Sequence, residues 1–233
     1  MKKREQTLFS TPLHRDYWRL AASEFKRLDM LAVAALFLAL RIAIKPLSIP
    51  IAENLRFSFD FLVNSVGSMI YGPLVGLAVG ALSDTLGYII HPTGVYFFPF
   101  MLVEMSSSFL FGLFLYRTKL TPTRIILSRF SVTVLCNLLL TPLIIKWQAA
   151  LLGNAYALFT LPRMLKNVAE FPFQSVILVV WLGILTAVTD RMKITFSGHE
   201  KLKITKNNLL FLAIATAVAA LVVAGYCLYR MNR

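Results

Sequence analysis

Apolar residues in this chain fall in long runs, broken by short polar or proline-bearing stretches. The runs predict helices over residues 28–45, 58–71, 74–90, 98–117, 124–146, 162–190 and 207–229. Most approach the ~20 residues a helix needs to cross a bilayer. The pattern therefore predicts an all-α polytopic membrane protein. The second and third runs are short and are separated only by "YGP", which leaves room for a tight reversal. They are expected to pair with each other and to be partly covered by neighbours. Between residues 45 and 58, Pro46 and Pro50 interrupt the helical pattern, and alternation from Leu55 to Phe59 predicts a short extended piece. The stretch "HPTGVYFFPF", residues 91–100, has two prolines, one glycine and four aromatics, so an ordered loop is expected there.

Flanking segments complete the layout. "DYWRLAASEFKRL", residues 16–28, reads as a short amphipathic helix with Trp18, Leu20 and Phe25 available to the membrane surface. "SGHEKLKITKNN" reads as a basic linker. The chain divides into a basic N-terminal segment (1–27), a membrane domain (28–191), the linker (192–206) and an additional helix with its tail (207–233). No cleavable signal peptide is expected, because the first 30 residues are polar and basic.

Composition sharpens the class. Of 233 residues 58% are hydrophobic and 15% charged, and the mean hydropathy is +0.70, outside the range of soluble domains. The net charge of +13 reads as membrane topology, with no nucleic-acid partner expected. With the N-terminus in the cytoplasm, segments 1–30, 117–129 and 190–206 carry seven, four and five of the 24 Lys and Arg. That positive-inside bias predicts a cytoplasmic N-terminus in a bacterial cytoplasmic membrane. It places the connections 45–58, 91–98 and 147–161 outside. Seven spans would also put Arg230 and Arg233 outside, against the bias.

Motifs exclude several functions. HExxH, GxxxxGK[ST] and CxxC do not occur, and His14, His91 and His199 are scattered. No catalytic set, metal site or cofactor is expected. Cys136 and Cys227 both lie in apolar runs and read as free core thiols.

Four groups of residues remain as candidate chemistry. Arg41, Arg56, Arg163 and Lys166 put cations on the outer side, against the topological trend. Arg163 and Lys166 are three apart and share a helix face, and guanidinium groups suit carboxylate capture. Asp60, Asp84, Glu104 and Glu170 place carboxylates in or beside apolar helices, where they need a partner or a wet cavity. Glu104 is either internally paired or an acceptor for an aminopyrimidine-like ring. Tyr96, Phe97, Phe98 and Phe100 offer either an interfacial belt or a stacking wall for a flat ligand. Ala35, Ala39 and Ala43 form a smooth stripe suited to close helix approach, inside the protein or by a partner.

"LRFSFDFL…YGPLVGLAVGALSDTLGYIIHPTGVYFFPF" resembles the central signature of the folate-family substrate-binding (S) components of energy-coupling factor (ECF) vitamin transporters, and "PRMLKNVAEFPFQSVIL" is similar to the same family's pattern. The likeness covers residues 30–190. It implies a six-helix core with an inside N-terminus, to which the run 207–229 is an addition. It implies capture of a folate-like vitamin from outside, then association with a transmembrane coupling subunit and two ATPases that drive a toppling of the S component. The chain itself would be no enzyme. The ligand-binding set implied is Arg41, Arg56, Ser58, Tyr96, Phe97, Phe98, Glu104, Asn137, Arg163, Lys166 and Asn167, and the alanine stripe Ala35, Ala39, Ala43 would dock the coupling subunit. The chain has "PTGVYFFPF" where the family pattern reads "PTGPFFPGF", and it has Glu104 where a small or hydroxyl residue is expected. A different vitamin or flat heterocycle, or a non-transporting assembly subunit, stays open on those grounds.

Overall fold

The computed structural model describes residues 8–52, 55–92, 96–154, 156–158 and 161–191, with Leu202, Leu210, Ala213, Ile214 and Ala217 besides. Its elements are α1 (Arg15–Ser23), α2 (Leu28–Ile44), strands β1 (Ser48–Ala52) and β2 (Leu55–Ser58), α3 (Asp60–Ile90) and α4 (Met101–Leu115). There follow α5 (Pro122–Val132), a π-helical stretch (Thr133–Leu140), α6 (Thr141–Leu151) and α7 (Leu161–Arg191). α5, the π stretch and α6 run on as one rod, Pro122–Leu151. The additional helix expected over 207–229 lies almost wholly outside the described residues.

α3 is two limbs. At Gly72 the backbone takes φ 84° and ψ 176°, a conformation open to glycine, and Pro73 cannot continue the ladder of the preceding turn. The chain folds back there: a Cβ on Gly76 would lie 3.5 Å from Ser68 Oγ, eight residues earlier, whereas a straight helix would separate them by about 12 Å. "YGP" is thus the predicted reversal. The two limbs are mostly buried, as expected from their length. Among the described residues the bundle comprises α2, both limbs of α3, α4, the α5–α6 rod and α7. The stretches 60–90, 98–115, 122–151 and 163–188 are long and apolar enough to cross a membrane.

Polarity is arranged as lipid demands. Arg41, Asn64, Ser65, Ser68, Ser108, Arg129 and Gln174 are buried, whereas Leu86, Leu102, Leu139, Leu143, Val168 and Ile184 are exposed. An apolar outside around a polar-lined inside is what a multi-pass membrane protein requires.

Local signals set the ends of the elements. Thr121 accepts from the Arg124 N–H and caps α5, with Pro122 in its first turn. The rod extends beyond the expected residue 146. It stops at Leu152, where Gly153 (φ 71°) donates to the Ala150 carbonyl and Asn154 to that of Ala149. That is a Schellman close built on "LLGN". Thr141 Oγ1 donates to the Cys136 carbonyl at 2.7 Å, which with Pro142 supports the wider π turns. Cys136 is buried and free.

The N-terminal helix departs from expectation. α1 is amphipathic, but its inner face docks on the bundle: Tyr17 and Ala21 are fully buried. Tyr17 OH donates to the Gly112 carbonyl at 3.0 Å, and Trp18 stacks on Phe109 with ring centroids 6.1 Å apart. Tyr116 OH and Arg117 Nη2 both donate to Glu24 Oε1, at 2.8 and 3.2 Å. Of the three residues expected at the membrane surface, Phe25 is exposed while Trp18 and Leu20 are half-buried. The cluster closes over the α3 reversal, where a Cβ on Gly72 would meet the Tyr116 ring at 3.1 Å.

Candidate functional site

Two ends of the bundle can be told apart. One carries α1 and the α3 reversal. The other carries the β hairpin, the start of α4 and the connection between α6 and α7, and gathers most of the candidate residues.

Beneath that end lies a charge hub. Arg41 is fully buried. It donates Nε to Asp60 Oδ1 at 3.1 Å, Nη2 to Asp60 Oδ2 at 3.0 Å and to Glu104 Oε2 at 2.5 Å, and Nη1 to Ser108 Oγ at 2.9 Å. The Asp60 contact is a two-point fork, the geometry guanidinium favours. Ser108 passes the network to Asn64 Oδ1 (2.8 Å), and Asn64 Nδ2 to Ser107 Oγ (3.1 Å). Lys45 Nζ donates to the Ser83 carbonyl at 2.8 Å and lies 3.8 Å from Glu104. The sequence offers Arg41 and Glu104 as ligand contacts; in the structure each is engaged by the other, and together they tie α2, α3 and α4.

α3 and α4 can approach because both carry glycine at the seam. A Cβ on Gly80 would lie 2.6 Å from the Glu104 carbonyl oxygen, and one on Gly112 would lie 2.6 Å from the Pro73 backbone.

Above the hub is an aromatic corner. The Tyr96 ring lies 4.8 Å from that of Tyr88, and its hydroxyl is 3.1 Å from Thr85 Oγ1. Phe97 meets Phe100 at 6.0 Å and Trp147 at 5.6 Å, both edge-to-face. Trp147 thereby ties the end of the rod to the start of α4. Phe98 is exposed. Residues 93–95 of the loop lie outside the described set.

The hairpin pairs β1 with β2 antiparallel, Ser48 opposite Ser58 and Pro50 opposite Arg56, so the predicted extended piece is β2. Ser58 is exposed, and its Oγ accepts from the Asp60 N–H at 3.3 Å.

α7 supplies the remaining cations. The Arg163 guanidinium lies 5.6 Å from the Tyr156 ring centroid. Lys166 Nζ is 3.6 Å from Glu170. Asn167 Nδ2 donates to the Arg163 carbonyl at 2.9 Å. Asn137 is half-buried in the π stretch, beside Cys136. The structure thus brings Tyr96 and Phe97 together with Trp147 and Tyr88, and places Arg163, Lys166 and Asn167 on successive turns of one helix.

Sequence reasoning assigned Arg129 to an inner basic connection. It is buried in the bundle, its Nη2 donating to Gln174 Oε1. The signal was its place inside an apolar stretch, "IILSRFSVTVLC", where an isolated Arg needs a partner.

Ala35, Ala39 and Ala43 are all exposed on α2, opposite buried Met30, Ala34 and Arg41. The stripe is therefore not used for packing among the described residues.

A membrane bundle with a polar interior, an aromatic corner and cations at one end defines a membrane-embedded binding protein. Residues 29–182 match the family described as ECF transporter, substrate-specific component, and the chain belongs to that family of transporter subunits. It is 32% identical to the folate transporter FolT of Clostridium novyi (strain NT), over 53% of this chain and 70% of that one. It is 26% identical to the folate transporter FolT of Leuconostoc mesenteroides subsp. mesenteroides, over 64% and 83%. The solved structure "Crystal structure of FolT bound with folic acid" is similar with a TM-score of 0.55 and 30% identity, covering 63% of this chain and 86% of that one.

Proposed function

We propose that this chain captures folate or a closely related vitamin outside the cell and delivers it inward as the S subunit of an ATP-driven ECF importer. The observation that carries the reading is its similarity, in fold and at 30% identity, to a FolT solved with folic acid. The N-terminus and α1 lie in the cytoplasm, so the hairpin end faces outward, in line with the excess of Lys and Arg in the opposite connections. Tyr96, Phe97 and Phe98 wall the flat ring. Arg163 and Lys166, with Arg56 and Ser58 from the hairpin, receive carboxylates, and Asn137 and Asn167 add polar contacts. Arg41 and Glu104 serve from below by holding α2, α3 and α4 in register. The chain catalyses nothing itself; ATP hydrolysis belongs to two partner ATPases, reached through a coupling subunit that docks on Ala35, Ala39 and Ala43.

Calorimetric titration of the purified protein with folic acid, thiamine, riboflavin and biotin tests the ligand, beside mass spectrometry of any molecule that co-purifies. Tight binding of folic acid alone is expected. Tight binding of an unrelated vitamin, with none to folic acid, overturns the folate assignment and keeps the family.

A further inference from the structure

An apolar groove opens on the outside of the bundle, between α4 and the α5–α6 rod. Its volume is about 350 Å³, and it is walled by Ser106, Phe109 and Leu110 on one side and by Leu135, Leu139 and Leu143 on the other. The three leucines recur at every fourth residue and each is 48% exposed, so they stand as one ridge along the rod. In a bilayer such a space is filled, by a lipid chain or by protein, because an empty wall forfeits its packing contacts.

The chain carries its own candidate for the space. Residues 207–229 form an apolar run long enough to span a bilayer, and the run lies beyond the family match at 29–182. Of this run Leu210, Ala213, Ile214 and Ala217 are described, and all four are exposed, so these positions have no cover among the described residues. Leu202, five residues ahead of the run, is half-buried against the main core. Five residues reach at most about 18 Å, so the run starts beside the bundle.

Shape and depth both match the groove. Ala213, Ala217, Ala220 and Ala224 follow at three- and four-residue spacing and share one face of the run. A smooth stripe of this kind admits a ridge from a neighbouring helix, and the leucine ridge has the same four-residue step. Ser106 is nine residues from the end of α4 at Leu115, and Thr216 is nine residues into the run. Each is therefore about 14 Å from the same end of the bundle, since α4 ends, and α7 delivers the linker, opposite the hairpin. Thr216 lies on the alanine face and Ser106 brings a hydroxyl to the groove wall, so the two can bond to each other, which a lipid chain cannot offer. The alanine stripe on α2 is a poorer seat, because two smooth stripes give no ridge to interlock.

We infer that the groove between α4 and the rod is the docking site of the chain's own segment 207–229, packed as an added helix with Ala213 and Ala217 against Leu135 and Leu139 and Thr216 level with Ser106. Docked there, the helix clamps α4 to the rod. It leaves the stripe on α2 clear, since α2 packs on α3. The inference does not depend on the ligand proposed above.

Cysteine pairs in the full-length protein test it, in membranes and in a Cys136→Ala and Cys227→Ala background. A disulfide needs Cα atoms within about 7 Å of each other, so oxidation reports the seat closely. Leu139→Cys with Ala217→Cys, and Leu135→Cys with Ala213→Cys, are expected to join, whereas Ala39→Cys with Ala217→Cys is not. Cleavage at a protease site placed in the linker 192–206 distinguishes an internal bond, which holds the two fragments together, from a bond between two copies. Unfolding midpoints in detergent identify folded variants, and Leu143→Cys with Ala220→Cys replaces any pair that fails to fold. Joining at 39 and 217 puts the helix on α2, a dimer-sized product puts it on a second copy, and joining at no pair leaves the groove to lipid. Each of these outcomes overturns the inference.

Discussion

Arg41 shows how a single side chain can hold three helices. Its four nitrogen-to-oxygen contacts reach Asp60, Glu104 and Ser108, so the charge has no route to solvent or headgroups. Arg41→Met takes the shared counter-charge from two part-buried carboxylates, Asp60 and Glu104, and is expected to destabilise by up to about 3 kcal/mol, the lower end of the scale for breaking a buried ion pair. Glu104→Gln, which keeps a hydrogen-bonding oxygen near Arg41, should fall well below that. Unfolding midpoints of both variants in detergent check the order. Glycine seams give a second contrast. Gly80→Ala drives a Cβ into the Glu104 backbone, whereas at Gly153 nothing lies within 4 Å and only φ +71° opposes a side chain. Gly80→Ala should cost about 1–3 kcal/mol from overpacking, and Gly153→Ala roughly 1–2 kcal/mol from backbone strain alone. The same melts, with crystal or cross-link distances between α3 and α4, distinguish the two causes, because only Gly80→Ala should shift the helices. These contacts were only partly legible in the sequence. An Arg in a helix announces a partner, and Asp60 and Glu104 stand out as intramembrane acids. Which acid meets it depends on the fold-back of α3, a tertiary fact that no local pattern encodes.

At the scale of elements, α1 and α2 carry the clearest expectations. Burial pushes the hydroxyls of Tyr17 and Tyr116 well above their ordinary value of 10.0; Tyr116 raises Tyr17 further, and at Tyr116 the Glu24 carboxylate adds to the rise while Arg117 opposes it. A folded state that retains protons the unfolded chain has released loses stability as pH rises. The docking of α1 is therefore unaffected below about pH 10 and weakens above it. Fluorescence of a variant retaining Trp18 as its only tryptophan should report separation from Phe109 over that range, and Tyr17→Phe should blunt the response. Amphipathicity alone identified α1 as a helix with two faces. It could not say whether protein or lipid covers the apolar one, because both solvents reward the same pattern. On α2 the exposed alanines make a different expectation. Ala35→Trp or Ala39→Trp should abolish co-purification with a coupling subunit while folic acid binding stays within about twofold, since neither residue faces the interior. Retained co-purification and uptake would remove the docking role.

For the whole molecule, the apolar runs, the "YGP" reversal and the proline-bearing connections carried the architecture, since lipid restricts spanning backbone to helices and makes their length readable. The candidate site was less legible. Rings at Tyr96 and Phe97 were visible, but Trp147 and Tyr88 join them from other helices. Arg129 was hidden because charge counting assigns every basic residue near a helix end to a loop. Orientation is checked directly: single cysteines at positions 154 and 119, in a Cys136→Ala and Cys227→Ala background, should react oppositely with an impermeant maleimide in intact cells. Labelling at 154 alone is expected; labelling at 119 alone reverses the topology and with it the outward-facing site.

The Arg41 hub also bears on how the chain is made. Asp60 is 19 residues and Glu104 63 residues downstream of Arg41. An unpaired Arg within a helix opposes partition into lipid by about 2.5–3.5 kcal/mol on insertion scales. α2 is therefore expected to insert less readily alone than when both limbs of α3 and the start of α4 follow it. On that reasoning the counter-charges arrive late, and the membrane domain is expected to settle as a group. A chain lacking either acid is then expected to be scarce in the membrane before any change appears in what the survivors bind.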